Sequence, residues 1–351
     1  MTRCLLCLAV LFSLGCGGDD EAAVRADPWT AADAIFLGDP NWLGAGGASS
    51  VDLGAGRSLW LFSASLVDAD GTADRSTAQL VSNTVAVQDG ADPTTATLQH
   101  HWADGPASLV PDEGSEWHWP LHGIRVGTAL TLFYARYRPT TEGLGFESVS
   151  WLGLRIPNPD DAPDDWTIAE LTVPVLPFPC AGPTTLLLHD GYVHAYCVQD
   201  SANHEVFLLR WSEADFNAGK LESPEWAVES GWASENPQAV FDEAAADFTV
   251  SLDRFRNNFV QIQGRGISGG FMADALAVRF ASGVDGPYSR LETFYEPPEV
   301  QPPDLFATAV RGHPQLTGAD LVATYIPSGD LEQVQADPAI YYPRFLRLTF
   351  R

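Results

Sequence analysis

Along most of this chain, short apolar runs alternate with turn residues. The clearest example is Val51 to Leu66, V-D-L-G-A-G-R-S-L-W-L-F-S-A-S-L. It reads as a strand, a Gly-Ala-Gly turn and a second strand. Leu59-Trp60-Leu61-Phe62 is apolar at every position, the pattern of a strand covered on both faces. The turn glycines supply the positive φ angles that a tight hairpin requires. The same hairpin recurs over Gly123–Tyr134, Leu186–Tyr196, Phe248–Ile262 and His313–Tyr325.

A third, alternating strand is expected after each hairpin. These strands are Thr84–Gln88, Ser150–Ile156, Val206–Trp211, Ala275–Phe280 and Arg344–Phe350. Fourth strands are predicted at Trp166–Leu171, Trp226–Glu229 and Leu291–Tyr295. Five such units predict an all-β chain, a five-bladed β-propeller. A β-sandwich is the competing arrangement. The fifth unit runs out of chain after its third strand. Ala34-Ile-Phe-Leu37 is expected to supply the missing outer strand and so close the ring without an open edge.

The start of the chain has another pattern. Met1-Thr2-Arg3 is a positive n-region, and Cys4 to Leu14 is an apolar run too short to span a bilayer as a permanent helix. Ser13-Leu14-Gly15-Cys16 resembles a bacterial lipobox, which makes Cys16 the lipidated mature N-terminus; an ordinary cleaved secretory signal is the alternative. The expected division is a signal over residues 1–15, a lipidated Cys16 with a flexible tether over 16–33, and the propeller over 34–351. The chain is then exported and held at the bacterial cell envelope by its lipid alone. Cys180 and Cys197 remain as an even pair in an oxidising compartment. Strict hairpin register places Thr184 opposite Cys197, so a disulfide needs a bend at Gly182-Pro183. The alternative is two buried free thiols.

The 351 residues include 31 glycines, 25 prolines and 11 tryptophans, with a formal net charge of −27. This balance suits strands and turns, and the charge argues against nucleic acid as a partner.

The segments W-L-G-A-G-G-A-S-S-V-D-L-G-A-G-R-S-L-W-L-F-S-A-S (Trp42–Ser65), L-V-S-N-T-V-A-V-Q (Leu80–Gln88), W-H-W-P-L-H-G (Trp117–Gly123), G-H-P-Q-L (from Gly312) and Y-Y-P-R-F-L-R-L (Tyr341–Leu348) resemble a domain-of-unknown-function family. Its members are bacterial secreted five-bladed propellers of glycosidase-like type, related to arabinanase, levansucrase and sialidase-like propellers. The resemblance implies the propeller fold and carbohydrate as ligand. It also implies carboxylates in the first blade, and those are missing. The relevant places read Ala45-Gly46-Gly47, Gly54-Ala55-Gly56 and Phe62-Ser63-Ala64-Ser65. Cleaving a glycosidic bond normally takes two carboxyl groups. The expectation is therefore an exported propeller that binds a carbohydrate or envelope polymer without cleaving it. Glycoside hydrolysis and an envelope interaction scaffold are the alternatives.

Candidate ligand-binding residues lie where inner strands converge: His118, Trp119 and His122 in the second blade, and Arg311 and His313 in the fifth. They offer hydrogen-bond donors and aromatic faces, which a sugar ring uses. Glu243 and Asp247 are the surviving acid candidates for catalysis. Asp39 and Asp52 lie in the first blade, where Asp52 is also suited to capping a turn. Asn83 and Arg344 match positions of the resembled family, and Arg344 is placed to tie the closing blade to a carboxylate. His118 and His122 are spaced i, i+4, but Pro120 breaks the straight strand a metal site would need, so neither metal nor cofactor is expected.

Overall fold

A computed structural model describes residues 23–266 and 270–351. The signal sequence, Cys16 and most of the tether lie outside the described residues. The rest forms five antiparallel sheets arranged as the blades of a β-propeller.

The first blade is Gly46–Gly54, Arg57–Val67, Gln79–Asp89 and Thr97–His101 from axis to rim. The second is Trp117–Val126, Ala129–Pro139, Phe146–Ile156 and Ala169–Leu171. The third is Cys180–His189, Tyr192–Gln199, Val206–Ser212 and Glu225–Val228, extended by Gly231–Ala233, with Ala239–Phe241 paired to its third strand. The fourth is Phe248–Asp253, Asn258–Arg265, Ala275–Ala281 and Glu292–Tyr295. Each innermost strand touches the next, and the innermost strand of the fifth blade returns to that of the first. A sandwich is thereby excluded.

The ring closes elsewhere than expected. In the fifth blade, Phe306–His313, Leu321–Ser328 and Arg344–Phe350 are followed by Val24–Pro28 as the outer strand. Val24 faces Phe350 and Pro28 faces Leu346. Ala34–Leu37 is instead a short 3-10 helix. Four apolar residues in a row do not distinguish a strand from a buried turn of helix. Here Phe36 is fully buried and stacks on Phe345, with ring centroids 5.5 Å apart. The closing strand thus lies inside the stretch expected to be tether.

Alternation along the strands explains the apolar runs. Trp60 and Phe62 pack with Phe36 and Phe345 in the seam between the fifth and first blades. Leu59 and Leu61 point the other way and meet Leu132 and Trp166 of the second blade. Three further apolar clusters fill the remaining seams. Every middle strand is covered on both faces, so both sets of alternate positions are apolar.

Local sequence sets the hairpin turns. Asp190 and Gly191 have φ of +48° and +77°, with His189 opposite Tyr192. Two successive left-handed residues match the right-handed twist of the flanking strands. Among the described residues no helix is long and apolar enough to cross a membrane.

Cys180 and Cys197 form a disulfide with Cα atoms 6.3 Å apart. The bend is real, but the register differs from the strict one: Pro183, not Thr184, faces Cys197, with irregularities on both sides of Pro183. The bridge closes a separation of 17 residues. Loss of loop-closure entropy in the unfolded chain sets the expected effect. The double variant Cys180→Ser, Cys197→Ser should lose about 3 kcal/mol of stability, read as a lower urea midpoint with an unchanged folded-state spectrum.

Candidate functional site

Four of the five innermost strands are irregular near their beginnings. The shifts fall between Gly47 and Ser49, between Pro120 and His122, around Pro183, and between Thr308 and Arg311. A bulge re-aims the side chains beyond it. In the second blade Leu121 is the extra residue, so His118 and His122 do not share a face as i, i+4 spacing would suggest. His118 is buried, and its Nδ1 lies 3.0 Å from the Pro111 carbonyl. Its own backbone carbonyl accepts from Asn83 Nδ2. His118 therefore belongs to the packing of the loop before the blade and not to the axis.

The axis is occupied by the other candidates. Arg311 is 1% exposed. Its Nη1 donates to the carbonyls of Thr184 and Phe248, each at 2.8 Å. Its Nη2 donates to the Leu121 carbonyl at 3.4 Å and to Asp247 Oδ1 at 2.5 Å. One guanidinium from the fifth blade thus holds the second, third and fourth. His313, two residues on and fully buried, shares hydrogen bonds with Ser50 Oγ of the first blade (2.6 Å) and Thr324 Oγ1 of its own (2.8 Å). His122 is buried within electrostatic reach of both Arg311 and His313. The expectation that Arg311, His313 and His122 present donors to a ligand is corrected here. Their side chains are buried, and Arg311 and His313 are engaged with the protein itself.

Trp119 is placed differently. It is half-buried, and its ring lies 4.8 Å from Tyr137 and 5.0 Å from Phe146. Trp117 stands 5.7 Å away on one side. Phe146 meets Phe271 of the fourth blade edge-on at 5.8 Å. These rings make an aromatic arch between the second and fourth blades at the end where the inner strands begin. Asp247 immediately precedes the innermost strand of the fourth blade. Its side chain is 28% exposed and lies within electrostatic reach of Tyr137. Burial, and secondarily Asp247, push the Tyr137 hydroxyl pKa upward, so the phenol stays protonated.

The two acid candidates are not equivalent. Asp247 turns to the axis and Arg311. Glu243 is exposed, with φ of +55°, and its charge acts on buried Arg279 in the seam between the third and fourth blades. Asp52 caps its turn, accepting from the Gly54 amide at 2.7 Å. Asp39 lies 3.5 Å from the ring of His100, in a separate groove of about 510 Å³ on the first blade. Arg344 meets Asp33 at 3.6 Å, and Asp33 also accepts from the Phe345 amide, so that arginine serves ring closure. Among the described residues no three His, Cys, Asp or Glu side chains are grouped to hold a metal.

Tyr137, Phe146 and Phe271 were not legible as site residues. They come from middle strands and a loop, and only the folded ring gathers them. Arg75 was also missed. It donates to the carbonyls of Leu43, Val334, Asp337 and Ile340, fastening the long fifth-blade loop beside the mouth.

Burial, with Arg311 nearby, pulls the pKa of His122 and of His313 down to about 3. Each stays neutral in the folded protein, while in the unfolded chain each takes up a proton below about pH 6.5. The unfolded state then binds more protons, so stability falls with pH from about 6.5 downward. Melting temperatures at pH 7, 6 and 5 should decline in that order, and His313→Gln should flatten the slope.

One solved structure shares this fold over nearly its whole length. A candidate hydrolase from Bacteroides ovatus ATCC 8483 superposes with a TM-score of 0.72 at 14% identity, over 94% of this chain and 93% of that one. An exo-1,5-alpha-L-arabinanase from a bovine ruminal metagenomic library aligns with a TM-score of 0.47 at 8% identity, over 87% and 92%. Trypanosoma rangeli sialidase aligns with a TM-score of 0.43 at 15% identity, over 85% of this chain but 44% of its own. No curated protein matches the sequence. A family profile described as "Domain of unknown function (DUF5005)" matches residues 32–349, and the chain, a five-bladed β-propeller, belongs to that family.

Proposed function

We propose that this protein is an exported, lipid-anchored propeller that binds a carbohydrate or other envelope polymer at the mouth of its channel without cleaving it. The observation that carries this reading is the aromatic arch with its partly exposed Trp117 and Trp119, whose Tyr137 lies within electrostatic reach of the one axial acid, Asp247. Aromatic faces take the apolar face of a sugar ring, and a carboxylate accepts from its hydroxyls. Hydrolysis asks for a second carboxyl group facing the first across the bond. Glu243 lies toward Arg279 instead, and the first-blade positions are Ala, Gly and Ser. The filled axis confines a ligand to the mouth.

Export is supported by the n-region, the apolar run and Cys16 in the sequence, and by the Cys180–Cys197 disulfide, which suits an oxidising compartment. Cys16→Ala should abolish fatty-acid labelling of the expressed protein and release it from the membrane fraction. Continued labelling would remove the lipid anchor from this reading.

The binding test is affinity electrophoresis of the purified protein in neutral polysaccharide gels. At least one polymer should retard the wild type, and Trp119→Ala should weaken retention by about tenfold, close to 1.4 kcal/mol. No reducing ends should be released on long incubation. Release of reducing sugar that is lost in Asp247→Asn would replace binding with hydrolysis. The filled axis supports a second reading, an envelope interaction scaffold, for which retention by envelope proteins and by none of the polysaccharides is the expected result.

A further inference from the structure

The charges around the arch bear on which polymers it accepts. Arg136, on the second strand of the second blade, is paired with both Glu113 and Glu116. Arg138 is paired with Glu147 at 2.5 Å. Arg311 is paired with Asp247 and otherwise spent on backbone carbonyls. Arg136, Arg138 and Arg311 thus already have carboxylates, and Arg136 has two. Arg265, at the upper end of the fourth blade, reaches outward to Thr293. Against these stand the exposed carboxylates of Glu113 and Glu147 and the partly exposed ones of Glu116 and Asp247. The whole chain carries a formal charge of −27.

Resting on the binding reading above, we propose that the mouth selects uncharged glycans and rejects acidic ones, with Asp247 as the residue that sets the discrimination. The Arg311 guanidinium is anchored to three blades and holds one oxygen of Asp247. Among the described residues the second oxygen has no hydrogen-bond partner. It is a fixed acceptor within electrostatic reach of Tyr137 in the arch, suited to a sugar hydroxyl. A carboxylate or sulfate on the same sugar would meet that acceptor where, among the described residues, Arg136, Arg138 and Arg311 are already paired and Arg265 is turned outward to Thr293. In a partly water-excluded mouth, like charges a few ångströms apart repel far more than in bulk water, and added salt weakens the effect. Specificity of this kind arises from a repulsive element as much as from an attractive one.

The test uses matched pairs on one backbone: xylan, arabinan, mannan and β-glucan, each beside its carboxymethyl derivative. Retention of the full-length protein is measured at low and high salt. The neutral member of a bound pair should be held at least about tenfold more tightly at low salt, with the gap narrowing as salt rises. The net charge alone repels acidic polymers, so the variants locate the effect. Asp247→Asn leaves the Arg311 charge uncompensated and should shrink or reverse the preference. Glu116→Gln, at the rim and away from the hub, should shrink it in part without altering the melting temperature. Equal or tighter retention of the carboxymethyl polymer by the wild type overturns the inference and leaves the binding reading standing. So does a preference unchanged in both variants. Retention of neither member of any pair overturns the carbohydrate reading and this inference with it.

Discussion

A buried guanidinium on the axis holds the ring together. Five sheets packed side by side leave a channel lined by the ends of innermost strands, whose backbone carbonyls need donors. Arg311 supplies them to Leu121, Thr184 and Phe248 on three different blades. Its charge is met by Asp247. A buried cation without such partners is strongly unfavourable, and loss of one partner leaves the others unsatisfied. His313 extends the arrangement to the first blade through Ser50, where Gln315 also donates. Two residues of one strand therefore reach all the other blades. The bulge between Thr308 and Arg311 aims this strand's side chains at the axis.

The seams work by a different principle. Each is an apolar cluster filled from both flanking blades, and no blade could bury its two faces alone. The last seam depends on the two ends of the chain coming together. Val24–Pro28 pairs with Arg344–Phe350, and Asp33 and Arg344 fasten the strand that follows. Burial raises the Asp33 pKa, opposed by the Phe345 amide and Arg344. The closure thus combines a hydrogen-bonded edge, a charged pair and the stacked rings of Phe36 and Phe345.

The same hub shapes the candidate site. Arg311 is buried on the axis, and by holding Asp247 it fixes one carboxylate there. The aromatic arch stands at the same end of the inner strands. A cleaving site would need a second acid in the same space, and the chain places small residues where the resembled family has acids. The binding reading proposed above rests on that difference and on the stacking and hydrogen bonding that the arch and Asp247 offer.

The sequence by itself determined the blade count, the hairpins and the positions of the third strands. These follow from local alternation and turn chemistry, as at Asp190-Gly191, and need no knowledge of distant residues. It also exposed the missing first-blade acids. The outer strand of the first blade, Thr97–His101, escaped notice because an edge strand needs an apolar pattern on fewer positions. Tertiary structure alone decided that Val24–Pro28, and not Ala34–Leu37, closes the ring, since short segments carry too little periodicity to choose a partner. It alone turned His118 away from His122, because one extra residue in a strand reverses every side chain beyond it. And it alone showed Arg311 to be a strut where the sequence suggested a ligand contact: an arginine reads the same in either role until its surroundings and the carbonyls it reaches are known.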